Sequence, residues 1–256
     1  MKVLCTADLH GNRQWFKWVL ENSPRFDLVV LPGDFVDGYD KRDLPIVLGE
    51  VEEFFKELEK VGVPVLFCSG NHDDGIKRTS NPLHTWTDGL KKPNKIWGNG
   101  DMGTLTIHGQ DILFSCHQDN EFRKEPVTLK LEKDFEKGHE LAQVTGLPWL
   151  VVHHNPPDQC LVSKGDMGGS LILKKLIERF QPDFVFSGHL HQAPLAGDCV
   201  DHIGSTVCFN AGFRAKALTP NRLELDLRSR TGNWFDKDLL HKAIEYSIKG
   251  ESDGEN

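Results

Sequence analysis

The 256-residue sequence has no excess of basic residues, no long apolar run and no closely spaced cysteine pair. Its formal net charge is −8, and no run of Lys and Arg stands out, although folding could still assemble a basic patch. Proteins that bind nucleic acid nonspecifically usually carry such a patch. No segment approaches the roughly 20 apolar residues of a membrane-spanning helix. Nucleic acid is therefore disfavoured as a partner, and no membrane association is expected.

The composition is that of an ordinary globular protein, with 38% hydrophobic and 27% charged residues, enough for a large core. We assign residues 1–250 to a single domain and residues 251–256 to a polar tail that frays. Residues 119–148 are interpreted as a charged insertion. Such runs are typically solvated helix faces, and a cap over the active site is the alternative.

Hydrophobic periodicity predicts the main elements. Apolar residues at helical spacing indicate helices over residues 12–22 and 43–61, and two further helices are expected over residues 169–180 and 236–248. Strands alternate with helices up to residue 73, which implies a parallel sheet. A hairpin over residues 103–115 begins a second sheet.

Five short islands rich in His, Asp or Asn follow short apolar runs. They are Asp8-Leu-His10, Gly33-Asp34-Phe-Val-Asp37, Gly70-Asn71-His72-Asp73, His153-His154-Asn-Pro-Pro157 and Gly188-His189-Leu-His191. Each apolar run is expected to be a sheet strand, and open α/β sheets bind ligands outside the carboxyl ends of their strands. A hydrophobic core does not need these residue types at five strand ends, whereas metals with mixed oxygen and imidazole ligands do. Together the islands predict a dinuclear metal site.

Each island alone has an ordinary explanation. Asp-x-His is common, a Gly-Asp at a strand end is usually a turn, and a doubled histidine can simply cap a strand. Side chains two apart in a strand point to the same side, so Asp8 and His10 could grip one ion if strand geometry persists. The same spacing would aim His189 and His191 at one side. It is improbable that the ordinary explanation holds for all five islands at once.

The ordered set of motifs resembles that of the calcineurin-like metallophosphoesterases. The resemblance runs from Asp8 to His191, and every motif position is present. It implies an α/β fold, a four-layer α-β-β-α sandwich with two central mixed β-sheets flanked by helices. It also implies a metal-dependent phosphoric ester hydrolase that uses two divalent metal ions.

The resemblance carries the ligands over residue by residue. One ion would be held by Asp8, His10, Asp34 and His191, and the second by Asp34, Asn71, His154 and His189, so that Asp34 bridges the two.

Three neighbouring positions are assigned by the same resemblance. His154 is aligned as the ligand because relatives have a His, one residue and then Pro-Pro, although a register slip of one residue would exchange it with His153. His153 would then lie beside the site or in the core. Asp37 would support the loop that carries Asp34. Asp73 would orient His72.

The ligand types indicate the chemistry. Carboxylate, amide oxygen and imidazole suit Mn, Fe, Zn or similar divalent ions, and no thiolate enters the set. Two such ions clamp a phosphate ester, and a bridging hydroxide would attack phosphorus in line. His72 follows the ligand Asn71 but lies outside the ligand set, so it could protonate the leaving oxygen as general acid.

The function favoured is hydrolysis of a soluble, small-molecule phosphate ester, and a phosphodiester is preferred over a monoester. A phosphomonoesterase or a nuclease of the same family is the alternative. A scaffold that has lost catalysis should lack ligands, and none is missing here. His117 could line the cleft, but the interpretation as an ordinary strand residue is favoured.

A reducing cytoplasm is the expected location. The six cysteines are scattered with no Cys-x-x-Cys, and Cys5 and Cys68 lie in predicted buried strands. Because the candidate ligand Asp8 stands so close to the N-terminus, no removable signal peptide is expected.

Overall fold

The computed structural model describes residues 1–38, 42–74, 76, 83–118, 125–165, 168–237 and 239–247. The predicted polar tail at 251–256 and residues 119–124 of the predicted insertion lie outside the described residues.

Two β-sheets form the centre of the described part of the chain. The first contains, in spatial order, β13 (Leu239–Glu245), β12 (Thr231–Asp236), β11 (Arg222–Asp226), β1 (Lys2–Cys5), β2 (Leu28–Pro32), β3 (Val65–Cys68) and β4 (Ile96–Trp97). The second contains β5 (Met102–Ile107), β6 (Gln110–His117), β7 (Trp149–His153), β8 (Phe184–Ser187), β10 (Thr206–Asn210) and β9 (Val200–Ile203).

Both sheets are mixed. β1 to β3 run parallel, as predicted, β4 continues the parallel arrangement, and β11 joins β1 antiparallel. In the second sheet β6, β7, β8 and β10 are parallel, while β5 and β9 are antiparallel edge strands. The carboxyl ends of the parallel strands therefore lie along one edge of each sheet, where ligands of α/β sheets bind.

Helices cover the outer faces of the two sheets. They are α1 (Arg13–Asn22), α2 (Leu44–Val61), the short α3 (Asn71–Asp74), α4 (Glu125–Thr145), α5 (Leu171–Phe180) and the short α6 (Ala193–Ala196), with 3₁₀ turns at Ser23–Arg25, Trp86–Leu90 and Leu161–Ser163. The expected helices over 12–22, 43–61 and 169–180 are thus confirmed, as is the hairpin formed by β5 and β6.

Strand alternation divides the apolar residues among three layers of core. Val3 and Cys5 of β1 face the second sheet, whereas Leu4 faces α1 and α2. In the second sheet Phe114 faces inward, and Leu113 packs with residues of α4 and α5. Because successive side chains point to opposite faces, each buried strand contributes to two cores at once. The predicted four-layer α-β-β-α sandwich is confirmed.

The predicted last helix is wrong. Thr231–Asp236 and Leu239–Glu245 pair as the antiparallel strands β12 and β13, in which Trp234 and Ile244 are buried. The apolar spacing after residue 236 fits a helix, but pairing of the strand backbone with β12 overrides this local preference.

The predicted charged insertion is described from residue 125 onwards. Its described part, α4, lies in the outer helical layer, where Leu131 and Phe135 pack on the second sheet. Most charged residues of α4 lie on the exposed face of this flanking helix, as expected for a solvated helix face.

No helix in the described ranges has both the length and the apolar character needed to cross a membrane.

Two helical glycines give opposite predictions for substitution by alanine. Gly49 lies on the exposed side of α2 with open space around its Cα, whereas a Cβ on Gly138 of α4 would collide with the buried Trp149 ring. Gly49→Ala should raise the free energy of unfolding by about 1 kcal/mol through helix propensity. Gly138→Ala should lower it by about 1–3 kcal/mol, because overpacking outweighs propensity. Urea unfolding measures both, and a stabilised Gly138→Ala protein would contradict the packing described here.

Candidate metal centre

The loops after β1, β2, β3, β7 and β8 converge where the carboxyl ends of the two sheets meet. Potential ligand atoms of Asp8, His10 and His191 lie within 4.8 Å of one another, and so do those of Asp34, His154 and His189. A third group, formed by His10, Asp34 and His72, links the other two. The two sheets thus contribute to both of the main clusters.

The backbone leaves strand geometry before it reaches these side chains. β1 ends at Cys5 and β8 at Ser187. Asp8, His10, Asp34 and His189 all adopt left-handed conformations, with φ values of 56°, 47°, 56° and 65°. Such values are uncommon outside glycine and are concentrated at functional sites. Strand geometry therefore does not persist to Asp8 and His10, and tight turns bring these two side chains into one cluster instead.

Two glycines permit the close approach of the loops. A Cβ on Gly70 would overlap Oδ1 of Asp34, and one on Gly188 would overlap Ala7 and lie 2.7 Å from Oδ2 of Asp8. Only a residue without a side chain fits either position, since backbone must pass directly beside a buried carboxylate.

In the first cluster, two imidazole nitrogens face each other. Nδ1 of His10 donates to the carbonyl of Val36 at 3.1 Å, so Nε2 carries the lone pair of the neutral ring. This Nε2 lies 3.3 Å from Nε2 of His191, which is 3.4 Å from Oδ1 of Asp8. Two facing imidazole nitrogens and a carboxylate make a donor set that suits a divalent cation.

In the second cluster, imidazole and amide donors point at one another in the same way. Nδ1 of His154 donates to the carbonyl of Pro32 at 2.6 Å, which leaves Nε2 as the lone-pair nitrogen. Nε2 lies 3.0 Å from Oδ1 of Asn71 and 3.3 Å from Oδ2 of Asp34. Nδ1 of His189 lies 2.9 Å from the same Asn71 oxygen. The residues of both clusters therefore fit divalent ions in donor type and in tautomer.

The carboxylates are deeply buried, Asp8 at 0% and Asp34 at 1% exposure. Burial opposes ionisation of Asp34, but the imidazoles of His154, His10 and His72 outweigh it and lower the pKa. Burial likewise opposes ionisation of Asp8, and the hydrogen bond and charge of His191 lower its pKa. Burial and the neighbouring His154 lower the pKa of His189 to about 4, so this ring is a neutral, lone-pair donor. Anionic oxygens and neutral imidazoles are the protonation states that metal binding requires.

Asp73 does not have the predicted role beside the His72 ring. Its carboxylate is fully buried and accepts backbone N–H groups of Phe35 at 3.0 Å, Val36 at 3.2 Å and Gly70 at 2.9 Å. Asp73 thus ties the loop that carries Asp34 to the loop that begins α3. The carboxylate beside the imidazole is that of Asp37, whose Oδ1 lies 3.6 Å from Nδ1 of His72. The two carboxylates have exchanged the roles that the resemblance implied.

His153 and His154 point to opposite faces of the second sheet. His154 reaches the second cluster. His153 lies two residues after Val151 on the same face of β7, and Val151 packs with α4 and α5 in the outer core. Nδ1 of His153 donates to the carbonyl of Asn155 at 2.8 Å, and burial lowers the pKa of the ring to about 3.

His117 lies under α4, with Nε2 2.9 Å from the hydroxyl of Ser115 and Nδ1 3.6 Å from Asp134. It belongs to a buried polar network and to neither cluster.

Two features of the site have no motif in the sequence. The ring of Phe213 packs on both His10 and His191, with centroids 5.0 and 4.4 Å away. A cavity of about 300 Å³ lies beside His72 and is lined by Asp37, Gly38, Arg42, Leu44, Val47, His72 and Ile76. A lone phenylalanine and a lone arginine carry no signal in a single sequence, so only the folded chain reveals them.

Comparisons with known proteins agree with this geometry. The family model described as calcineurin-like phosphoesterase matches residues 1–193. No curated protein sequence matches the chain.

Solved structures share the fold at low sequence identity. Protein TT1561 of Thermus thermophilus is 15% identical, with 92% of this chain and 98% of that one covered and a TM-score of 0.63. GAP50, described as the anchor in the inner membrane complex of Plasmodium, is 16% identical, with 98% and 90% covered and a TM-score of 0.62. Purple acid phosphatase PPD1 from yellow lupin (Lupinus luteus) seeds is 12% identical, with 95% and 53% covered and a TM-score of 0.55.

The adjacent histidines provide a matched pair of substitutions. His154→Ala should remove one of two bound divalent ions, because the side chain points into the second cluster. His153→Ala should keep both ions and lower the stability, because it leaves a cavity in the outer core. Metal analysis of the purified variants, together with thermal unfolding, separates the two effects. Loss of an ion from the His153 variant alone would mean that the register is one residue off.

Proposed function

The chain belongs to the calcineurin-like phosphoesterase family, and from this we propose that it hydrolyses a small-molecule phosphodiester. Its family identifies it as a metal-dependent phosphoric ester hydrolase whose cofactors are two divalent ions. The observation that supports the site is the convergence of seven candidate ligand side chains from both sheets, with Asp34 between the two clusters.

We assign the first ion to Asp8, His10, Asp34 and His191, and the second to Asp34, Asn71, His154 and His189. Asp34 is suited to the shared position because its Oδ1 accepts the backbone N–H of His72 at 2.9 Å while its Oδ2 faces His154. The bond to His72 fixes the carboxylate between the two sheets. When bound, the ions would supply positive charge that orients the phosphate, lowers the pKa of water and stabilises phosphoryl oxygens. Mn, Fe, Zn or a similar ion suits this donor set.

His72 is proposed as the group that protonates the leaving oxygen. The backbone N–H of Gly38 donates to Nδ1 of His72 at 2.7 Å, so the neutral ring carries its proton on Nε2. A neutral imidazole that gave up this proton would become an anion, so an efficient acid needs a second proton on Nδ1. Once Nδ1 is protonated it can no longer accept from the Gly38 N–H. It can instead donate to the carboxylate of Asp37, which lies 3.6 Å away. Asp37 is therefore the positioning residue for the acid form.

The cavity beside His72 supports an ester with a sizeable leaving group. Its volume of about 300 Å³ is at the lower end of the range for small-molecule sites. Leu44, Val47 and Ile76 provide apolar walls, while Asp37 and Arg42 provide charges of opposite sign. The guanidinium of Arg42 donates to Glu50 at 2.8 Å and to the carbonyl of Gly11 at 2.9 Å. Gly11 is the residue that follows His10 in the chain. A leaving alcohol placed here would have its oxygen next to His72.

A phosphomonoester is the alternative substrate, because the same clusters would bind its phosphate and purple acid phosphatase PPD1 shares the fold. For the location we propose a reducing cytoplasm, since all six cysteines are free thiols. We also propose that residues 1–250 act as one catalytic domain.

Metal removal tests the proposed activity. Exhaustive chelation should abolish hydrolysis of mono- and diesters, and adding back Mn or a similar ion should restore it, because the ions provide the electrostatic stabilisation of the reaction. A screen of both ester classes with each metal then decides between diester and monoester. Full activity in a protein shown by elemental analysis to contain no metal would rule out the proposal.

Substitution of His72 tests the proton donor. The kcat of His72→Ala should fall by about 10²–10⁴-fold on alkyl or nucleoside diesters, whose leaving oxygens need a proton. Its kcat on bis-nitrophenyl phosphate should fall far less, because nitrophenolate leaves without being protonated. The measurement is kcat on both substrates with metal content verified.

Asp37→Asn provides the companion variant for that experiment. It should show the same dependence on the leaving group with a smaller loss, because a neutral amide replaces the carboxylate that faces the doubly protonated ring and the ring stays in place. Equal losses on both substrates in the His72 variant would instead indicate phosphate binding, and the acid role would be dropped.

A further inference from the structure

Phe213 lies beyond residue 193, where the match to the family model ends, yet its ring forms one wall of the first cluster. The rings of His10, His191 and Phe213 touch in a triangle, with centroid distances of 5.3 Å between the histidines and 5.0 and 4.4 Å to the phenylalanine. Both histidines belong to the ligand set proposed for the first ion, and neither belongs to that of the second.

The loop that carries Phe213 is fastened to the site on one side. The N–H of Phe213 donates to the carbonyl of His191 at 3.1 Å, and the N–H of Gly212 donates to Oδ1 of Asn210 at 2.8 Å. Gly212 has φ of 68°, and a Cβ there would lie 3.0 Å from the His191 carbonyl oxygen. The loop therefore needs a glycine at this turn so that its backbone can pass close to His191.

Helix α1 holds the loop on the other side. The Trp15 ring packs against Phe213 with centroids 5.4 Å apart, and its Nε1 donates to the carbonyl of Ala217 at 3.0 Å. Phe213 is thus clamped between α1 and the loop that carries His191.

The two histidines differ in what fixes their rings. Nδ1 of His10 is bound to the Val36 carbonyl. For Nδ1 of His191, the described part of the chain offers no hydrogen-bond partner, and 34% of this side chain is exposed. Metal-binding histidines usually donate their second ring nitrogen to a fixed acceptor, which sets the ring orientation. At His191 the tilted contact with Phe213, at an interplanar angle of 39°, takes that place.

We propose that Phe213 is a positioning residue for the first metal ion: it orients the His191 ring and excludes water from that side of His10 and His191. This inference rests on the proposed function, because the ligand set it concerns is part of that proposal. Loss of an outer partner of a metal-binding histidine typically costs 10- to 100-fold in metal affinity. Phe213 should contribute an effect of about that size, confined to one of the two ions.

The test is metal binding by the complete chain. Metal-free protein is dialysed to equilibrium against increasing Mn²⁺, and elemental analysis yields the two dissociation constants. Phe213→Ala should raise one of the two dissociation constants by roughly 10- to 100-fold and leave the other unchanged. Phe213→Leu, which keeps an apolar side chain against the rings, should lose less. His191→Ala identifies which of the two constants belongs to the first ion.

Leu218→Ala is the matched control, because it truncates a side chain on the same loop that is 63% exposed, and it should leave both constants unchanged. Thermal unfolding of each metal-free variant reports on the fold alone. Wild-type affinity for both ions in Phe213→Ala, or an equal loss of both with a lowered melting temperature, would overturn the inference. If Phe213→Ala does not fold, wild-type constants in Phe213→Leu overturn it. Wild-type protein that takes up fewer than two ions would overturn the proposed function instead.

Discussion

The burial of two carboxylates, Asp8 and Asp34, is the constraint on which the arrangement of the centre depends. An ionised carboxylate taken out of water costs several kcal/mol unless charges and hydrogen bonds compensate it. Backbone N–H groups provide part of the compensation: Asp8 accepts from His189, and Asp34 accepts from His72. The imidazoles of His154 and His191, both on loops of the second sheet, lie against these carboxylates of the first sheet. The proposed pair of divalent ions would complete the compensation and, in doing so, join the two sheets.

The rigid sandwich is what allows the ligand loops to be strained. Four candidate ligands adopt left-handed conformations, each of which costs on the order of 1–3 kcal/mol. Buried parallel strands hold the beginning of every such loop, and the cores on both sides of each sheet hold the strands. Asp73 adds a further restraint, because its buried carboxylate ties together the loops that follow β2 and β3. The strain is therefore stabilised by structure outside the site.

The end of the chain completes the site without contributing a predicted ligand. β10 continues the second sheet next to β8, and its last residue, Asn210, begins the loop that carries Phe213. β11 pairs with β1, and β12 and β13 extend the first sheet beyond it. The sequence motifs supply the polar ligands of the centre, whereas the loop after β10 supplies an apolar wall, the ring of Phe213. Such a wall needs only a suitable shape and position. Such requirements leave no recognisable pattern in one sequence.

The sequence by itself indicated the parallel strands and the set of polar residues at their ends, because apolar periodicity and residue chemistry are local properties. The four-layer fold was implied by the family resemblance that these polar motifs carry. The sequence did not determine the backbone that presents those residues: Asp8 and His10 meet through left-handed turns, not through strand spacing. Tertiary structure also decided the last strand, since residues 239–245 gain a hydrogen-bonded partner in β12 that a helix would lack. Only folding could place Asp37 beside His72, give Asp73 to three backbone amides and set Phe213 on two histidines. Most of these contacts join residues far apart in the chain, and their distances depend on how neighbouring strands and the two sheets are placed.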